Sequence, residues 1–203
     1  SSEIKAILSS GLVKAEFNEA AIDEYLGNRY IRTPHTFFKN IFQIHAGNYF
    51  EVDELLTYKE YSYWDIPQEF NTKEYYNEKE ILEDFEKEII KAINYRLISD
   101  VPLGTYLSGG IDSSLITAIT AKNKKGDLNT YTIGFPELNE FEYSRLIADQ
   151  YNTSHHEILM EKESYVNNWD RLISYKDAPL GVPNEIPLAI MSRKLKEKIT
   201  VVL

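Results

Sequence analysis

From Leu103 onward, short apolar runs alternate with amphipathic helical stretches, and that alternation leaves few folds open. The runs Leu103–Leu107, Asn129–Phe135, Glu157–Met160 and Ile199–Leu203 have the length and apolar content of buried strands. Between them the spacing predicts a helix from Asp112 to about Lys122, with Leu115, Ile116 and Ile119 facing inward. It predicts further helices from about Phe141 to Tyr151, around Ser164 to Ser174, and from about Asn184 to Lys196. Pro187 suits the first turn of the last helix, which needs no N–H from it. Such an order implies an α/β class with a doubly wound parallel sheet, whose ligands lie at the carboxyl ends of the strands.

One of those strand ends carries the most specific motif of the chain, Leu107-Ser108-Gly109-Gly110-Ile111-Asp112-Ser113-Ser114. Two glycines let a phosphate approach the main-chain N–H groups, and the following helix adds unpaired donors and the positive end of its dipole. The hydroxyls of Ser108, Ser113 and Ser114 surround the same turn. No Gly-Lys-Ser/Thr follows a four-residue spacer, which excludes a Walker A loop. Asp112 stands where the helix begins, and a carboxylate beside phosphate implies a bridging cation, Mg²⁺. A glycine turn with a Ser/Asp helix cap would use the same residue types. The setting between an apolar strand and an amphipathic helix favours the phosphate reading. Ser-Gly-Gly-x-Asp-Ser resembles the pyrophosphate loop of the ATP-pyrophosphatase superfamily, which cleaves ATP between its α and β phosphates.

A net charge of −10 over 203 residues argues against a nucleic-acid partner. The basic cluster Lys122, Lys124 and Lys125 sits at a helix end before Gly126, where it complements the dipole without a ligand. No apolar run is long enough for a membrane span and no signal pattern opens the chain; cysteine usage leaves the redox compartment undecided, with the cytoplasm as the default. The absence of cysteine excludes disulfides, thiolate metal sites and a cysteine nucleophile within this sequence.

The first half reads as helix, helix, then paired strands. Glu3–Leu8 is a short helix stopped at Gly11, and Asn18 caps a second running to about Leu26, ended by Gly27. Phe42–Ile44 and Asn48–Val52 form an expected hairpin around Ala46-Gly47. Tyr58, Tyr61, Tyr63 and Trp64 are expected core aromatics. Residues 66–77 form a polar connector, and Glu78–Ser99 is a long helix with Ile81, Leu82, Phe85, Ile89, Ile90, Ile93 and Leu97 on one face. The expected domains are therefore 1–65 and 78–203, joined by 66–77.

The second half resembles the synthetase domain of glutamine-hydrolysing asparagine synthetases. Arg96–Gly104 leading into Ser108–Ser114, Tyr131–Phe135, Ala148–Glu157 and Met191–Lys194 carry that likeness. The first half is similar to the end of the same family's N-terminal-nucleophile glutaminase domain, through Ser2–Ile7, His45–Tyr49 and Tyr63–Asp65. The resemblance implies adenylation of a carboxylate, aspartate in the family's namesakes, with release of pyrophosphate. Ammonia from glutamine then displaces AMP. It implies ATP and Mg²⁺ binding by Leu107, Ser108, Gly109, Gly110, Asp112, Ser113, Ser114 and Ile133, with Asp112 as the metal ligand and Leu107 and Ile133 flanking the adenosine. It leaves a homodimer open and assigns neither nucleic acid nor membrane as partner.

Departures from the family pattern matter equally. The family's glutaminase opens on a cysteine, and its synthetase continues past a strand like Ile199–Leu203 into a Ser-Gly-Glu-containing loop. The chain therefore reads as an internal piece of a longer enzyme, inactive alone, with Ser1 a poor stand-in nucleophile. Asp177–Glu185, where the acceptor should be read, lacks the threonines and arginine that some members use for aspartate. This leaves another carboxylate, such as a uronic acid, or a non-catalytic nucleotide-binding domain, as alternatives. His155 and His156 have no ligand-spaced partners and read as strand-entry residues, while Glu142 and Arg145 share a helix face and are expected to pair.

Overall fold

The structure, a computed structural model, describes residues 1–67 and 77–203. It falls into two units, Ser1–Lys73 with Ile173–Val182, and Glu74–Leu172 with Pro183–Leu203. The expected connector at 66–77 lies mostly outside the described residues.

In the first unit, α1 (Ile4–Ser9) and α2 (Ala20–Asn28) precede a hairpin of β1 (Asn48–Val52) and β2 (Tyr58–Ser62). Asn18 does not cap α2; its side-chain amide donates to the Thr36 carbonyl at 2.9 Å. The helix passes through Gly27 and ends with Arg29 in the left-handed region, its N–H on the Tyr25 carbonyl. The hairpin also departs from expectation, since β1 pairs forward with β2 rather than back with Phe42–Ile44. The Asp53 carboxylate accepts the N–H groups of Leu55 and Thr57, both at 2.9 Å, and so closes a turn that carries no glycine. The aromatics expected in a core, Tyr58, Tyr61, Tyr63 and Trp64, are exposed. A two-stranded ribbon offers no second layer of its own, and its rings cover one another instead: Tyr49 on Tyr61 at 5.3 Å, Phe50 on Tyr58 at 5.0 Å. Residues 173–182 are fastened within this unit: the Asp177 carboxylate accepts the Lys5 N–H at 3.0 Å, and the Tyr25 hydroxyl donates to the Leu180 carbonyl at 2.6 Å.

The second unit begins with α3 (Glu78–Arg96), capped by the Asn77 side chain, which accepts the Glu80 N–H. The helix stops three residues short of Ser99, and only part of its expected apolar face is covered. Ile93 is buried, whereas Ile81, Leu82 and Phe85 are exposed. Then follow β3 (Leu103–Tyr106), α4 (Ile111–Asn123), β4 (Asn129–Gly134), α5 (Phe141–Gln150) and β5 (Ser154–Leu159). The chain continues through α6 (Lys162–Asn167), α7 (Trp169–Lys176), α8 (Glu185–Leu195) and β6 (Val201–Val202), with the second half of α7 belonging to the first unit. The single helix expected around 164–174 is two, because the Asn168 side chain takes the Ser164 carbonyl at 2.7 Å where the ladder would continue.

The strands form a parallel sheet in the order β5-β4-β3-β6, with Thr105 opposite Thr130 and Gly104 opposite Val202. The order turns back at β3, so β3 ends at the switch point of the sheet. Alternation gives the sheet two chemically different faces. Toward α8, Tyr131, Met191, Leu195 and Ile199 form an apolar core with Tyr106, Ile133 and Ile158 packed on it. Toward α4 and α5 stand fully buried hydroxyls, Thr105 bonded to Thr117 of α4 at 3.0 Å and Thr130 bonded to His155 at 2.8 Å.

Gly104 is the point of closest approach inside the sheet: a Cβ there would lie 2.5 Å from the Asn129 carbonyl oxygen and 2.8 Å from Ile199 Cδ1. Gly104→Ala is expected to lower stability by about 1–3 kcal/mol through overpacking, measured as a drop in the urea midpoint at unchanged slope.

Candidate functional site

β3 gives up its last ladder bond at Leu107, whose N–H donates to the Tyr131 carbonyl at 2.8 Å and whose side chain is fully buried. The chain then turns through Ser108 and Gly109 to Gly110, which caps α4 in an extended conformation. Gly109 has φ +89°, and a Cβ on it would lie 2.6 Å from Tyr143 Cβ and 3.0 Å from the Ser144 nitrogen. Only glycine fits both the conformation and the space.

Ser108 Oγ accepts the Gly110 N–H at 3.3 Å, and Ser113 Oγ donates to the Gly110 carbonyl at 3.1 Å. With the Ser113 proton so used, the 2.9 Å contact between the two hydroxyls is a donation from Ser108. The loop thus closes on itself through groups that can rotate toward a ligand. Above it, the N–H groups of Ile111, Asp112 and Ser113 begin α4 with no carbonyl beneath them, at the positive end of a 13-residue helix. Asp112 is exposed in this first turn, with Ser113 and Ser114 half-buried beside it.

Next to the loop, at the carboxyl ends of β3 and β4, lies a mainly apolar cleft of about 470 Å³. Leu107, Ser108 and Ile133 line it, with Gly134 on β4 and with Pro187 and Leu188 of α8. Its volume is in the range that holds a small ligand. The structure therefore brings Leu107, Ser108 and Ile133 to one cleft wall, while Gly109, Gly110, Asp112, Ser113 and Ser114 form the adjoining turn and first helical turn. The α8 wall went unread in the sequence, where Pro187 and Leu188 carry no signal beyond a helix start.

The donor set around Asp112 suits Mg²⁺ held jointly with a ligand. Among the described residues no three His, Asp or Glu side chains gather in a metal-binding cluster. A single carboxylate is enough where phosphate oxygens and water complete an octahedral shell.

Electrostatics beneath the site differ from expectation at one pair. Arg145 does not pair with Glu142; its Nε and Nη2 donate to the two Glu157 carboxylate oxygens at 2.5 and 2.6 Å. The planar guanidinium matches a carboxylate fork across to β5 better than one helix turn away. This Arg145 bond is the main cause that holds the Glu157 carboxyl below its usual range. His155 and His156 both lie on β5, where burial depresses their pKa values below 6.5. His156 Nε2 donates to Asn129 Oδ1, 3.1 Å away, and the residue has Lys198 as a second depressing neighbour.

A parallel α/β sheet with a glycine-turned, helix-capped loop and a cleft at its strand ends defines a class of small-ligand-binding domain. Within that class, the asparagine synthase family profile matches residues 84–203 and the glutamine amidotransferase domain profile matches residues 1–64. The chain belongs to the asparagine synthase family. It is 30% identical over its whole length to putative asparagine synthetase [glutamine-hydrolyzing] 2 of Methanocaldococcus jannaschii, covering 40% of that protein. It is 29% identical over 98% of its length to asparagine synthetase [glutamine-hydrolyzing] 3 of Bacillus subtilis, covering 35% of it. NMN synthetase from Francisella tularensis aligns over 59% of this chain and 52% of its own, with a TM-score of 0.42 and 14% identity. The chain spans less than half the length of the curated relatives named here. Among the described residues no helix is long and apolar enough to cross a membrane.

The two histidines fix a pH dependence. The unfolded chain binds their protons near pH 6.5, the folded chain only at lower pH, so the unfolded state gains protons first. Stability is therefore expected to fall as pH drops through 6.5 toward the lower folded-state values. Urea midpoints measured across that window should decline, and a His155→Gln, His156→Gln double variant should show a flatter profile.

Proposed function

We propose that the chain is the nucleotide-binding part of an ATP-dependent amide-forming ligase of the asparagine synthetase type. The observation that carries this is the Ser108–Ser114 turn: a left-handed Gly109 and an α4 N-terminus with no side-chain cap, placed at the switch point beside the cleft. In this reading the adenosine lies in the cleft against Leu107 and Ile133. The N–H groups of Gly109 and Gly110 and the start of α4 face the β and γ phosphates. The hydroxyls of Ser108, Ser113 and Ser114 rotate out of their internal bonds to join them.

A carboxylate oxygen of the acceptor attacks the α-phosphorus, and the bond from that phosphorus to the pyrophosphate oxygen breaks. The acyl-adenylate then reacts with ammonia: nitrogen bonds to the acyl carbon, AMP leaves, and the surplus proton passes to solvent. Fixed N–H donors stabilise the charge that builds on the departing pyrophosphate without having to reorganise. Asp112 would hold Mg²⁺, which supplies further neutralisation of that charge. The first 65 residues correspond to the end of a glutaminase domain and residues 78–203 to the beginning of the synthetase domain, with 66–77 between them. The ligands are small molecules, namely ATP, the acceptor and, in the intact protein, glutamine. The compartment in this reading is the cytoplasm.

Aspartate is the acceptor of the first reading. A second acceptor class, such as a uronic acid, is favoured by Asp177–Glu185. That stretch carries neither threonine nor arginine, and its Asp177 carboxylate is already engaged by Lys5, with Nζ at 3.4 Å. AMP release by the full-length protein, assayed with aspartate and with a panel of other carboxylates, separates the two. Turnover with aspartate supports the first; turnover only with another acid supports the second. ATP binding without any AMP release would instead indicate a non-catalytic nucleotide-binding domain.

Asp112→Ala in the full-length protein is expected to weaken Mg²⁺-dependent ATP binding at least about tenfold, read by calorimetry. Unchanged binding would remove Asp112 from the site. The 203-residue chain alone, which contains no cysteine, is expected to make no amide from glutamine; a glutamine-dependent product would contradict this.

A further inference from the structure

Beneath the loop runs a chain of buried and part-buried hydrogen bonds that the nucleotide reading does not use. Thr130 Oγ1 lies 2.9 Å from Thr153 Oγ1 and 2.8 Å from His155 Nδ1. His155 Nε2 lies 3.2 Å from Ser144 Oγ, and Ser144 Oγ donates to the Phe141 carbonyl at 3.0 Å. Thr130 and Ser144 are fully buried. Directions follow from the last link. The Ser144 proton is spent on a carbonyl, so Ser144 can only accept from His155, which places the imidazole proton on Nε2. Nδ1 is then an acceptor and Thr130 its donor, which leaves Thr130 to accept from Thr153. Each proton in the line therefore has a single place.

The line ends at the first turn of α5, and that turn is what Gly109 rests on: the Ser144 nitrogen and Tyr143 Cβ are the atoms nearest to where a Gly109 Cβ would stand. The position of the loop is therefore set by the position of this turn, and the His155–Ser144 bond ties the turn to β5 across the sheet face. We infer that His155, in its neutral Nε2–H form, is a positioning residue for the Ser108–Ser114 loop, acting through Ser144 and the first turn of α5. The inference rests on the nucleotide-binding reading of that loop. The charged and titratable groups around the imidazole are Glu157 and His156 on its own strand and Arg145 and Asp149 on α5. The Arg145–Glu157 pair is bidentate, so the nearest formal charges are already matched to each other.

Amide geometry offers a direct test, because a glutamine amide reaches the place of Nε2 and an asparagine amide only that of Nδ1. In the full-length protein, His155→Asn keeps a partner for Thr130 and loses Ser144, whereas His155→Gln keeps the donor to Ser144. Mg²⁺·ATP binding is measured by calorimetry, with urea midpoints and hydrogen exchange of the Gly109 and Gly110 amides measured in parallel. His155→Asn and Ser144→Ala are expected to raise the dissociation constant about tenfold and to speed exchange at both glycines. His155→Gln is expected to bind close to wild type. Thr130→Val is expected to lower the urea midpoint while leaving binding within about twofold, since it breaks the line on the side away from the loop. Wild-type binding together with unchanged binding and exchange in folded His155→Asn and Ser144→Ala would overturn the positioning role alone. Equal weakening in Thr130→Val and His155→Gln would overturn it as well, showing a merely structural cluster. Failure of the wild-type full-length protein to bind Mg²⁺·ATP would overturn the nucleotide reading and this inference with it. Should His155→Asn not fold, Ser144→Ala and the exchange rates decide.

Discussion

Everything at the candidate site depends on β3 being held on both edges up to its last residue. The Gly104 carbonyl accepts from Leu203, the Tyr106 N–H donates to the Leu203 carbonyl at 2.9 Å, and the Leu107 N–H donates to Tyr131. A strand so short would fray if it lay at an edge. Flanked by β4 and β6, it delivers the backbone to Ser108 in a fixed direction, and the Thr105–Thr117 bond fixes the helix that leaves the turn. A loop anchored at both ends keeps its N–H groups aimed where a ligand would meet them, and it sustains the unusual conformation at Gly109.

The two faces of the sheet contribute differently. The α8 face supplies apolar area, with Tyr131, Met191, Leu195 and Ile199 at its centre, and stabilises the unit without defining a register. The α4 and α5 face adds several directional bonds to its apolar contacts, among them Thr105–Thr117, Thr130–His155 and His155–Ser144. Non-directional packing holds the helices on. Directional bonding decides where they stop sliding.

Much of this was legible locally. The Ser108–Ser114 turn could be read because a positive φ, close backbone approach and a helix start are all encoded within seven consecutive residues. The parallel sheet could be read from alternation alone, although β6 is confined to Val201–Val202 where an apolar run of five was expected. Failures came where the deciding partner is distant or unorthodox. The β1–β2 turn is made by the Asp53 carboxylate, a common turn former, together with Leu56 at φ +61°, and a leucine in the left-handed region gives no turn signal in the sequence. The helix at 164–174 is split by one side chain, that of Asn168. Arg145 chose a carboxylate twelve residues away over one on its own helix face, and His155 finds its partners on β4 and α5. Periodicity reports which face is buried, and it says nothing about which polar group waits there.

The hydroxyl layer carries a mutational consequence of its own. Valine has the shape of threonine, yet exchanging Thr105 alone would strand the Thr117 hydroxyl in a dry interior, at a cost of about 1–3 kcal/mol. Exchanging both together removes donor and acceptor at once and costs far less. Drift at these two sites is therefore obliged to proceed in tandem, a correlated pair of codons written by a single shared proton.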